Sequence, residues 1–383
     1  MGDATVVVII DALGFELAGR HGFQLRELPH RARLGTVLGF SQAALASIMT
    51  GLSPDEHGLW MMYSFASHAS PFAWLALVPP GVSTRRLWLR RLIRWNLDRV
   101  HRIRGYYSLY DVPRNILPHL DIPGRRGLFA AGGVPGSTTI LDEVAAQGVP
   151  CRVWDYHDDE DSAFASLREE LAAGRRGFFL LYAAGLDAAL HRVGSAGEDV
   201  AARLEWYRSR LAEIVAAAAA GGGARIFVLG DHGMCDVRAR VDLMAEVAAL
   251  GLDVPRDYVP FYDSTMARFR IRSDRARRLL ERFLGSRAEG RVLGADEMKA
   301  LGVSFADGRF GDLVFLVEPG TIISPSFMGS APVAAMHGYD PDAQCMPSFL
   351  LSNTGLPRPE MSILDVAGLV LPGFAARGTR RSP

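Results

Sequence analysis

Apolar residues along this chain fall into two rhythms. Short, mostly continuous runs stand at residues 5–10 (TVVVII), 151–154 (CRVW), 177–182 (GFFLLY), 224–229 (ARIFVL) and 312–317 (DLVFLV). Such runs, rich in β-branched and aromatic residues, are the pattern of strands buried on both faces. Between several of them apolar positions recur at helical spacing, over 137–147, 162–173 and the alanine-rich 199–220. The alternation predicts an α/β fold with a mainly parallel central sheet and helices on both faces.

Two regions break the rhythm. Residues 60–126 are rich in proline, aromatics and arginine and read as an insertion, a lid over the core. Residues 251–330 carry short strands, a basic helix near 274–284 and several glycines, and read as a smaller subdomain. The catalytic core is then expected from 1–59, 127–250 and 331–376. A length of 383 residues fits such a main body with insertions.

Composition narrows the function classes. Hydrophobic residues make up 49% and charged residues 22%, ordinary for a globular protein. The formal net charge is +0, so no overall field points to nucleic acid, and none is expected as a partner. No run reaches the roughly 18 apolar residues of a membrane span. The three cysteines, Cys151, Cys235 and Cys345, are odd in number and far apart. We therefore expect no disulfide framework, a reducing compartment and a cytoplasmic location.

Ligands of α/β sheets bind at the carboxyl ends of strands, and several runs here end in ionisable groups. The first ends in Asp11, the fourth in Asp231-His232 within GDHGM, and the third leads to Asp187 with His191 four residues later. Residues four apart share a helix face, so Asp187 and His191 can reach one metal. His337 stands in MHGYD. Three aspartates and three histidines suit zinc and other borderline divalent metals, and are enough for two ions with open positions. Ser41 precedes a helical run at 42–50. At a helix N-terminus a serine is either a nucleophile in an anion-friendly place or an N-cap.

The order of these pieces is specific. Asp11 follows an apolar strand; Ser41 lies nine residues before Thr50-Gly51-Leu52; then come P-x-x-H-G at 54–58, D-x-x-x-H at 187–191, D-H-G-M at 231–234 and H-G-Y-D at 337–340. The chain resembles the type I phosphodiesterase/nucleotide pyrophosphatase branch of the alkaline phosphatase superfamily over nearly its whole length. The resemblance implies an alkaline-phosphatase-like core and two divalent ions, zinc first, with manganese or iron as alternatives. It implies that Asp187, His191 and His337 hold one ion, and that Asp11, Ser41, Asp231 and His232 hold the other. Ser41 would be the catalytic nucleophile, passing through a phosphoseryl intermediate, and His57 a structural residue. One departure concerns substrate: nucleotide pyrophosphatases commonly carry Thr-Phe-Pro-Asn where this chain has Ser41-Gln42-Ala43-Ala44.

The expected activity is metal-dependent hydrolysis of a small phosphorylated or nucleotide-linked substrate, phosphodiesterase-like. A phosphomonoesterase is the alternative, and a non-catalytic metal-dependent phospho-ligand binder the reading from another class. Residues 85–104 hold eight arginines and one acid with apolar residues near helical spacing. That segment reads as a lid helix on the core, a contact with substrate phosphate, or a peripheral contact with an anionic membrane. Oligomeric state has no sequence signal here.

Overall fold

The computed structural model describes residues 4–79, 82–331 and 333–376. Seven strands form the main sheet: β1 (Ala4–Ile10), β2 (His30–Gly35), β3 (Cys151–Trp154), β4 (Phe178–Ala183), β5 (Ala224–Leu229), and two late strands, Ser348–Ser352 and Glu360–Ser362. Their order across the sheet is Glu360–Ser362, β2, Ser348–Ser352, β5, β1, β4, β3. All run the same way except Ser348–Ser352, which is antiparallel to both of its neighbours.

The alternation along β1 explains its continuous apolar run. Val6, Val8 and Ile10 pack on one face with Phe164, Leu167, Leu204 and Leu211 from helices Glu160–Ala172 and Glu198–Ala220. Val7 and Ile9 pack on the other with Ala44, Ile48 and Met49 of helix Ser41–Thr50. Successive side chains of a strand point to opposite faces, so a strand covered on both sides needs every position apolar.

The run at 312–317 belongs elsewhere. Leu313–Val317 joins Tyr258–Tyr262, Met266–Ile271 and Gly290–Val292 in a separate, wholly antiparallel four-stranded sheet. An apolar run marks a buried strand but not its partner. This sheet shares a core with the 60–126 region: Phe261, Phe269 and Phe315 cluster with Leu89, Ile93 and Leu97 of helix Leu87–Arg99. Arg268 is buried there, donating from Nε to Asp263 Oδ2 at 3.1 Å and from Nη1 to the Tyr63 carbonyl at 2.9 Å.

One expectation is corrected. Cys235 and Cys345, 110 residues apart, form a disulfide, and only Cys151 is free. Chain distance hid the pair: Cys235 lies in an antiparallel bridge to Met336, and the fold brings the segment after His337 back beside it. The reducing compartment inferred from unpaired thiols loses that premise.

Candidate metal centre

The strand ends of the parallel sheet converge on one carboxylate-rich pocket. Asp11 leaves β1 directly, and the chain turns away through Ala12 in a left-handed conformation (φ 62°). Ala12 N–H donates to Asp231 Oδ1 at 3.1 Å, locking the two strand ends together. Asp231 and His232 follow β5 within Gly-Asp-His-Gly. The glycines there serve close approach, not unusual dihedrals: a Cβ on Gly230 would lie 2.3 Å from the Leu13 carbonyl, and one on Gly233 2.0 Å from that of Cys345.

His232 Nε2 is the meeting point of three groups. It lies 3.3 Å from Asp11 Oδ1, 3.3 Å from Asp231 Oδ2 and 3.1 Å from Ser41 Oγ. Its Nδ1 is 3.0 Å from the Gly233 carbonyl, which can only accept, so Nδ1 carries a proton and Nε2 is the ring atom turned towards the carboxylates. His191 is set the same way: Nδ1 donates to the Ala335 carbonyl at 2.8 Å and Nε2 lies 3.3 Å from Asp187 Oδ1. Asp187 and His191 do share a face of helix Gly185–Val193. His337 Nε2 lies 3.7 Å from Asp187 Oδ1, and its ring stacks on His232 with centroids 3.9 Å apart.

Two ligand groups emerge. Asp187, His191 and His337 present donor atoms within 4.8 Å of one another, as do Asp11, Asp187 and His232. Asp187 belongs to both, so the groups adjoin. All seven residues expected from the sequence are thus brought together.

The residues fit divalent metal by an independent sign. Asp11 Oδ1, Asp187 Oδ1, Asp231 Oδ2 and His337 Nδ1 are buried without a hydrogen-bond partner. Buried charged oxygens without a partner are strongly unfavourable unless a cation satisfies them. Burial raises the Asp11 carboxyl well above the ordinary range, and the neighbouring Asp231 and Asp187 raise it further. Asp231 is also raised, chiefly by burial. His337 is held well below its usual value by burial, then by His232 and His191. Burial alone would lower His191, but the bond and charge of Asp187 outweigh it and raise the ring. Three carboxylates, two of them buried, beside three imidazoles form a candidate site that a divalent cation would complete.

Ser41 is the first residue of its helix, and Phe40 holds the N-cap position without a side-chain cap bond. The N-cap reading of Ser41 therefore falls, since its hydroxyl faces His232 instead. The backbone amides of Ser41 and Gln42 donate to no group among the described residues, leaving a helix start whose amides could receive an anion. His57 stays out of the cluster. Its Nδ1 accepts from Leu59 N–H at 3.1 Å and its Nε2 meets Ser47 Oγ at 3.1 Å, with burial pushing its pKa down to about 3.

Sequence reasoning passed over three residues near the cluster. Tyr182 O–H donates to Asp11 Oδ2; the β1–β4 register sets Tyr182 beside Ile9, two residues from Asp11. Its signal was a polar tip ending an otherwise apolar run. Tyr106, from the inserted region, lies within electrostatic reach of Asp11 and Asp187; burial raises its phenol first and those carboxylates add to it. Gln42 keeps a buried carbonyl oxygen unpartnered beside the Ser41 turn.

Comparison with known proteins gives a family and a fold. The profile of the type I phosphodiesterase/nucleotide pyrophosphatase family matches residues 5–340. The fold is similar to murine ectonucleotide pyrophosphatase/phosphodiesterase 5, at 14% identity and a TM-score of 0.69 over 99% of this chain and 98% of that one. An inactive variant of the murine protein in complex with AMP gives 13% identity, a TM-score of 0.68 and 99% and 98% coverage. The human counterpart gives 12% identity and a TM-score of 0.68 over 96% of this chain and 94% of its own. No functionally curated protein matches the sequence. The chain belongs to the type I phosphodiesterase/nucleotide pyrophosphatase family of the alkaline phosphatase superfamily, hydrolases of phosphoester and phosphoric anhydride bonds.

Proposed function

We propose that the chain is a two-metal phosphodiesterase or nucleotide pyrophosphatase that works through a phosphoserine at Ser41 on a small nucleotide-linked or similarly activated substrate. One observation carries the reading: a serine hydroxyl at a free helix N-terminus, 3.1 Å from His232 Nε2 and beside partnerless carboxylate oxygens.

Asp187, His191 and His337 would hold one ion; Asp11, Asp231, His232 and the Ser41 oxygen would hold the other. Bound there, two divalent cations supply Lewis-acid stabilisation of the charge that develops on the attacking, non-bridging and leaving oxygens. The rest falls to the chain. Ser41 Oγ gives up its proton and forms a bond to phosphorus as the bond to the leaving oxygen breaks, and that oxygen takes up one proton in exchange. The free amides at the helix start orient the phosphoryl oxygens. Water then attacks phosphorus and the Ser41 ester bond breaks, one proton of the water replacing that lost from Ser41 Oγ, so two in-line displacements give retention at phosphorus. The Tyr182 bond holds Asp11 in place throughout. The AMP complex of the murine relative supports a nucleoside phosphate as part of the substrate.

The test is Ser41→Ala, with bis-p-nitrophenyl phosphate and p-nitrophenyl phosphate as substrates. Turnover should fall by about 10³-fold or more while metal content stays near that of the parent. Undiminished turnover in the variant would remove Ser41 from the mechanism. Preference for the monoester would move the substrate class to phosphomonoesters.

A further inference from the structure

Helix Leu87–Arg99 has two apolar faces, and the protein uses only one of them. Leu89, Ile93 and Leu97, at i, i+4 and i+8, are buried against the antiparallel sheet. On the opposite side Trp88, Leu92 and Trp95, at i, i+4 and i+7, are 53%, 41% and 57% exposed, with Leu87 exposed at the start of the helix and Val100 just past its end. Single exposed apolar residues are ordinary, but two tryptophans and a leucine in one stripe are not.

The charges around the stripe are mostly of one sign. Arg91 and Arg94 flank it, Arg99 continues its line one turn further, and Arg86 and Arg102 stand at either end, all exposed. Local acids neutralise only part of the set: Asp111 pairs with Arg85, and Asp98 with Arg99 and Arg104. Arg86, Arg91, Arg94 and Arg102 make no ion pair among the described residues. Tryptophan is favoured where an apolar phase meets water, and arginine can lay its stem along apolar surface with its head in the polar layer.

We propose that this face docks on an anionic lipid bilayer, with Trp88, Leu92 and Trp95 in the interfacial region and the surrounding arginines on lipid phosphates and carboxylates. Charge complementarity selects this occupant. A second copy meeting the same face would set arginine against arginine, which is unfavourable. The binding is peripheral, since no helix among the described residues is long and apolar enough to cross a membrane. An amphipathic helix with a basic polar margin is the arrangement that lies in the plane of the interface.

The test uses the full chain and sedimentation with vesicles of phosphatidylcholine, alone or with about a third phosphatidylserine. The protein should sediment with the anionic vesicles and stay in solution with the neutral ones. Binding should weaken as salt is raised. Arg91→Glu with Arg94→Glu should lower the partition coefficient by roughly fivefold or more per arginine. Trp88→Ala, Leu92→Ala and Trp95→Ala together should abolish sedimentation. Because all five side chains are exposed, circular dichroism and the melting midpoint of each variant should match the parent. No sedimentation at low salt, or variants that bind as the parent does, would overturn the proposal. So would sedimentation velocity showing a dimer that the triple variant dissolves, because a second copy would then cover the face.

Discussion

At the scale of the residue, three carboxylate oxygens, one each on Asp11, Asp187 and Asp231, lie buried with no hydrogen-bond partner. Asp11 carries the largest burden, because its carboxyl is raised well above the ordinary range by burial and by two like charges. In the metal-free protein it therefore holds a proton at a pH where an ordinary aspartate has lost it. Metal binding would displace that proton, and His191, raised by Asp187, keeps its own proton to a higher pH than a free imidazole, whereas His337 is held towards its neutral form. Proton release is thus expected on zinc titration, with affinity falling as pH falls. Calorimetry in buffers of different ionisation heat reads the protons directly; release of none would contradict the electrostatics described. Tyr182 gives a second expectation. Its hydroxyl orients Asp11, so Tyr182→Phe should lower metal affinity or turnover by about 10–100-fold, measured by competition with a chelator. Asp11, Asp187, Asp231, His191, His232 and His337 were legible because each is an ionisable group just after an apolar run or in a short histidine motif. Tyr182 was not, because only the parallel register with β1 sets it beside Asp11.

At the scale of the element, the strands of the parallel core could be read closely: 151–154 and 224–229 match their observed bounds, and β1 starts one residue earlier than expected. Their signal is strong because both faces are buried. His30–Gly35 gave no such signal. It is an HRARLG segment with only Ala32 and Leu34 buried, held in the sheet by strands on either side. Ser348–Ser352, the one antiparallel member, has too short an apolar stretch to stand out. The antiparallel sheet carries a buried ion pair that no pattern announces. Burial raises Asp263 and lowers Arg268, and each partner opposes the shift of the other. Removing one partner leaves a buried charge, so Arg268→Ala should destabilise the protein by about 3–5 kcal/mol in denaturant unfolding. A loss below about 1 kcal/mol would mean that water reaches Asp263 once the guanidinium is gone.

At the scale of the whole molecule, the two ligand groups come from chain segments far apart in sequence, and the disulfide ties them. Cys235 lies three residues beyond His232 and Cys345 eight beyond His337, and Gly233 N–H donates to the Met346 carbonyl at 2.6 Å. Cys235→Ser with Cys345→Ser should lower stability by about 2–5 kcal/mol. It should also speed loss of metal to a chelator, because the loop bearing Asp231 and His232 is then held to the His337 segment by hydrogen bonds and ring stacking, with no covalent link. Unchanged metal loss would leave the bond a role in stability only. The central claim is that these converged strand ends form a two-metal phosphodiesterase site. The most direct measurement is the rate of bis-p-nitrophenyl phosphate hydrolysis as zinc is returned stepwise to the chelated protein. The account predicts no turnover without metal and a rise that saturates near two equivalents per chain, about one for each ligand group. Turnover that survives chelation, or none at any zinc or manganese level, would contradict it.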